Sequence, residues 1–206
     1  MCGRYALFSW PAALERMPGY PADLQPHWNI APGQQVLLRR RVEGVERLDR
    51  VLWGLTPPWL KDLSRVPAQA RAETLVSQPF FREAFACRRG ILPATGFYEW
   101  RGPRRHPYWL AGLQRPLLSL AALWEAWPAG DRVWLSAAVV TVEVAGQRRP
   151  LLLDEAGEQL WLDAASSPAA LQEFMAAPPK VLLGERRLAG VGNNPAVNGP
   201  ECLTPG

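Results

Sequence analysis

A cysteine at position 2 of this 206-residue chain has an option that neither Cys87 nor Cys202 has. If Met1 is removed, one residue presents both an α-amine, with a pKa of about 8, and a thiol, with a pKa of about 8.5. An aldehyde that meets such a 1,2-aminothiol condenses with the amine to an imine, and the thiol then closes a thiazolidine ring. The two-step capture makes the adduct more durable than a lone Schiff base. Without further context, Cys2 reads first as an inert, buried cysteine near a tethered terminus. Glu99, in GFYEW between Tyr98 and Trp100, is the second reactive candidate. Desolvation by its aromatic neighbours is expected to raise its pKa and suit it to acid–base work near neutrality; the alternative is an outward-facing charge on a strand. The two histidines, His27 beside Trp28 and His106 in RGPRRHPYW, read as structural or surface residues. Three cysteines at unrelated spacings suggest neither a disulfide framework nor a CxxC metal site, so no metal and no organic cofactor is implied.

The elements that must position these residues are mostly strands. QVLLRRRV and RLDRVLWGL flank Glu43-Gly44, which reads as a hairpin turn. ILPATGFYEW, YWLAGL, LLSLAALWEAW and RVWLSAAVVTVEV carry the aromatic and β-branched content of half-buried or buried strands, with turns near residues 102–103, 114–115 and 130–131. Short helices are expected over 11–17, from a start around Glu73 to Val76 up to a proline break at Pro79, in FFREAFA after it, and over 168–176 behind Ser166-Ser167-Pro168. The end of the chain, with Asn193, Asn194 and Asn198, reads as loop. The architecture this supports is α+β, a strongly bent, barrel-like, mostly antiparallel sheet with flanking short helices.

The net charge of +4 is modest, and 21 of the 23 basic residues are arginine. Arginine is the better phosphate fork, although a GC-rich genome would give the same bias. No run of about 18 apolar residues appears, and the start lacks a secretory signal, so a cytoplasmic protein without a membrane partner is expected.

Six fragments occur in a fixed order: CGRYAL at 2–7, WNIAPGQ at 28–34, WGLTPPW at 53–59, ARAET at 70–74, LPATGFYEW at 92–100 and LAALWEAW at 120–127. Together they resemble the SRAP (SOS-response-associated peptidase) family along essentially the whole chain, read as a single domain, 1–206. The resemblance implies a nucleoid-associated, monomeric DNA-damage protein. Such a protein binds single-stranded DNA and joins Cys2, freed of Met1, to the ring-opened aldehyde of an abasic site as a thiazolidine. The match assigns proton transfer to Glu99 and an active-site amide to Gln69, where the family usually has asparagine. It assigns DNA contacts to Arg4, Arg71, Arg148 and Trp53. For Arg71 an ion pair with Glu73 is the alternative, and for Trp53 a place in the core. The family name implies a peptidase, but the only cleavage supported is removal of the residue before Cys2.

One departure is larger than the glutamine. The family usually carries a longer loop ending in a histidine–aspartate–arginine–methionine–proline run, whereas here VEVAGQRRPLLL aligns Gly146 with the histidine and Arg148 with the arginine. Slower crosslinking, especially slower reversal, is expected, with recovery when histidine is restored at 146. Two other readings stay open: a relative that binds single strands without covalent chemistry, and an amide hydrolase built on an N-terminal cysteine.

Overall fold

Thirteen strands and four short α-helices make up the regular structure of this computed structural model, which describes residues 3–177 and 180–206. In chain order the strands are β1 (Tyr5–Leu7), β2 (His27–Ile30), β3 (Gln35–Val42), β4 (Val45–Trp53), β5 (Gln69–Arg71), β6 (Arg89–Ala94) and β7 (Gly96–Arg101). They continue as β8 (His106–Gly112), β9 (Leu118–Ala129), β10 (Arg132–Val144), β11 (Gln147–Pro150), β12 (Leu152–Leu153) and β13 (Leu183–Arg187). The helices are α1 (Ala12–Glu15), α2 (Pro79–Cys87), α3 (Glu155–Leu162) and α4 (Pro168–Ala176).

Five strands close on themselves. β4, β3, β6, β9 and β10 pair antiparallel in that order, and the ring shuts where β10 meets β4 in parallel, Ser136 opposite Leu52 and Ala137 opposite Trp53. β10 also carries β5 in parallel and β11 antiparallel, while β12 extends the edge of β9. A second, wholly antiparallel sheet runs β13-β8-β7-β1-β2. The expected bent, mostly antiparallel sheet with short flanking helices is therefore the observed fold.

The apolar runs of β6 and β9 follow from burial on both faces. Leu92, Leu120 and Ala122 pack with Leu38, Trp53 and Phe97, while the alternate residues Ile91, Ala121 and Leu123 pack with Phe85, Trp161 and Leu171 beneath the helices. The β3–β4 hairpin turns where expected, Glu43 and Gly44 both taking positive φ, +50° and +80°. ILPATGFYEW is not one strand. At Thr95, whose hydroxyl accepts the Phe8 and Ser9 amides, the chain leaves the barrel for the second sheet. Gly96 then passes so close to Trp109 that a Cβ would lie 2.4 Å from the indole.

Three local expectations change. Pro79 does more than separate the 3-10 turn at Ala72–Thr74 from the next helix; it is itself the first residue of α2, where its missing N–H has no partner to lose. α3, capped by the Asp154 carboxylate on the Gly157 amide, and β13 both lie in stretches with no regular element expected. α4 starts as expected, with the Ser167 hydroxyl accepting the Ala170 amide. No helix among the described residues is long and apolar enough to cross a membrane.

Candidate active site

β7 lies between β1 and β8, and its alternation divides its residues between two faces. Phe97, Glu99 and Arg101 share one face, Tyr98 and Trp100 the other. Tyr98 is buried beside Trp109 and donates its hydroxyl to the Trp28 carbonyl at 2.5 Å; burial pushes its pKa upward. The Tyr98 amide donates to the Arg4 carbonyl at 3.0 Å, so the stretch entering β1 runs alongside Glu99.

Glu99 is only 3% exposed, and its carboxylate is surrounded by guanidinium N–H groups. Arg101 donates to Oε2 through Nε (3.0 Å) and Nη2 (2.6 Å). Arg149, arriving from β11, donates through Nε to Oε1 (3.2 Å) and through Nη2 to Oε2 (3.1 Å). Arg101 is also forked onto Glu185 of β13, at 3.0 and 2.8 Å, and lies over the Tyr108 ring. Burial alone would push the Glu99 carboxyl up, but the hydrogen bonds and charges of Arg149 and Arg101 together hold it below the usual carboxylate range. The raised pKa expected from the aromatic flanks is therefore corrected in sign. Phe97 supplies apolar surface, but the face that Glu99 shares with it also carries arginine.

Cys2 lies outside the described residues. Gln69 opens β5, half-buried and opposite Val139 of β10. Arg4 donates to the Asn29 side-chain oxygen (3.2 Å) and to the carbonyls of Gly192 and Asn193, and it lies over Trp100. Its guanidinium is thus already engaged with the C-terminal segment. Arg71 is exposed at the end of β5, with no ion pair found for it among the described residues. The ion pair anticipated with Glu73 belongs instead to Arg148, which reaches that carboxylate at 2.8 Å and Glu143 at 3.6 Å.

Trp53 is a core residue. It is 0% exposed, its indole donates to the Ala68 carbonyl at 2.8 Å and meets Tyr5 edge-on, so no face is open to a stacked base. Trp59, six residues on in the same fragment, is 56% exposed and held edge-on by Phe80. The asparagines of the terminal loop both turn and dock: Asn194 accepts the Ala196 amide, Asn198 the Trp28 amide and Asn193 the Trp100 indole N–H.

Gly146 is the tip of the two-residue turn joining β10 to β11, with Ala145 at φ +49° and Gly146 at φ +73°. A Cβ there would meet nothing within 4 Å. A histidine restored at 146 would thus leave from an exposed hairpin tip, its Cβ in open space. Arg101 and Arg149, both of which sequence reasoning passed over, are the cations that reach Glu99. Arg101 had a readable signal, two residues after Glu99 on one strand face. Arg149 had only its place in the doublet Arg148-Arg149, whose members point to opposite sides of β11.

The family model described as SOS response associated peptidase (SRAP) matches residues 1–189. The chain belongs to the SRAP family. Among its relatives, the abasic site processing protein YoqW of Bacillus subtilis is 30% identical over 223 residues, spanning 98% of this chain and 99% of that protein. YedK of Escherichia coli, also named an abasic site processing protein, is 26% identical over 85% of this chain and 86% of its own length. A crystal structure from Bacteroides thetaiotaomicron superposes over 100% of both chains with a TM-score of 0.84 at 20% identity, a likeness of fold alone. A phage-related protein from Bordetella bronchiseptica covers 91% of this SRAP chain and 94% of its own at a TM-score of 0.69 and 28% identity.

Proposed function

We infer that this protein captures abasic sites in single-stranded DNA by a covalent bond to Cys2. Once Met1 is gone, the Cys2 amine adds to the sugar aldehyde, the carbinolamine loses water, and the thiol sulfur adds to the resulting iminium carbon while its proton passes to a base. One water is released for each thiazolidine formed. Glu99 is the base beside this chemistry and the counter-charge for the iminium. The observation that carries the reading is a nearly buried carboxylate next to the strand entry that follows Cys2 in sequence, in a chain related end to end to proteins named for abasic sites.

An abasic site offers no base to read, so binding rests on phosphates and on stacking of the flanking bases. Arg71 is the exposed phosphate contact, Trp59 offers an open ring, and Arg148 and Arg4 join if DNA draws them from their present partners. Non-covalent binding is the second reading, favoured by the charge clamp around Glu99 and by the turn at Gly146. Incubation with single-stranded DNA bearing one abasic site, followed by a denaturing gel, decides between them. A shifted band lost in Cys2→Ala supports capture. Its absence from protein that intact mass shows to lack Met1 would overturn it in favour of reversible binding.

A further inference from the structure

Both oxygens of a nearly buried carboxylate accept from guanidinium groups, and these come from two different sheets. Arg101 belongs to the same strand as Glu99 and is itself neutralised by Glu185, which leaves Arg149 as the cation that crosses from β11 to offset the Glu99 charge. We propose that Arg149 is a positioning residue of this site: reaching across from the barrel sheet, it holds Glu99 ionised and in one orientation, ready to serve as base and counter-charge in the Cys2 reaction. The proposal rests on the reading of Cys2 above for its role in catalysis, though not for the clamp itself.

The groups that bear on Glu99 can be counted element by element. From β7 comes Arg101, and from β8 the Tyr108 ring, directly opposite Glu99 in register, with His106 two residues away. From β13 come Glu185 and, opposite Tyr108, Arg187, which reaches the His106 ring at 3.3 Å. From β11 comes Arg149 alone, and Arg4 beside β1 is turned to Trp100 on the other face. The inner quartet, Glu99 and Glu185 with Arg101 and Arg149, carries no net charge. Without Arg149 it would hold one carboxylate in excess, at a buried position where ionisation is disfavoured. Glu99 would then take up its proton at a higher pH, and below that pH it would enter the reaction as an acid without its anionic charge for the iminium.

Two readouts test this. In the DNA-free protein, carboxyl carbon NMR of 13C-labelled glutamate, with Glu99 assigned by its loss in Glu99→Gln, follows the titration directly. The midpoint is expected to rise by about one unit or more in Arg149→Gln and to return toward the wild-type value in Arg149→Lys, which keeps the charge but not the fork. An unchanged midpoint in folded Arg149→Gln overturns the clamp. In crosslinking to abasic single-stranded DNA, Arg149→Gln is expected to fall several-fold behind the wild type at pH values near and below its raised Glu99 midpoint, and the deficit should shrink as pH rises and Glu99 ionises in both proteins. A deficit that stays constant with pH marks a merely structural role and overturns the catalytic part. If the wild type forms no crosslink while the NMR midpoint still shifts, the capture reaction fails and the clamp stands. Should Arg149→Gln fail to fold, the Arg149→Lys titration and pH profile carry the test, and a wild-type rate and midpoint there with the Arg101 contacts intact supports charge as the requirement.

Discussion

Glu99 ties the stability of the fold to pH. Its folded pKa is lowered, so it stabilises the fold at pH values above its unfolded pKa of about 4.3, and that contribution is lost as pH falls through the lower folded value. Thermal melts between pH 7 and pH 3 should therefore show the wild type losing stability on acidification more steeply than Glu99→Gln, which has no charge to lose. Parallel profiles would mean that Arg149 and Arg101 do not favour the ionised form. The carboxylate was legible in the sequence because a glutamate between aromatic residues stands out; its charge state was not. That depended on a cation brought from fifty residues further along the chain, by a sheet contact with no local sequence signal. Tryptophan shows the same limit: WGLTPPW contains one ring in the core and one in the open, and nothing in the fragment says which is which.

At the scale of elements, the turn between β10 and β11 sets what the site can contain. Ala145 and Gly146 both occupy the left-handed region, as a two-residue hairpin requires, and the pairs Val144 with Gln147 and Glu143 with Arg148 follow without slippage. Gly146→His would place a branched side chain at φ +73°, at a cost of about 1–2 kcal/mol, and would aim it into open space. We expect a lower melting temperature and no faster crosslinking; acceleration in a kinetic gel would show that the hairpin rearranges around the new side chain. Strands with long apolar runs were legible because burial on both faces demands such runs. α3 was not, because Gly157 interrupts its pattern. That glycine is there for packing, since a Cβ would lie 2.6 Å from the Phe174 ring of α4.

For the molecule as a whole, the arginine count overstates the charge free to meet DNA. Arg39, Arg40, Arg41 and Arg88 are tied to acidic residues, and the clamp consumes Arg101 and Arg149. The net charge of +4 is thus a poor guide to the binding face, and the arrangement of ion pairs is a better one. Arg71 and Arg148 provide a direct comparison, because their strands both pair with β10 and, among the described residues, only Arg148 is neutralised, by Glu73 and Glu143. A phosphate contact made by an unpaired cation releases a counterion from the DNA, worth about 0.7 in the slope of log K against log salt for a single strand. Arg148 gives less, since its positive charge is already answered and Glu73 must be left behind when it moves. In a Cys2→Ala background, which keeps binding reversible, fluorescence anisotropy with abasic single-stranded DNA across a salt series should therefore show the slope flatten by about 0.7 in Arg71→Ala. Arg148→Ala should change it clearly less. Equal changes in the two variants would mean that DNA displaces Glu73 fully, and that the ion pairs of the free protein do not decide which arginines bind.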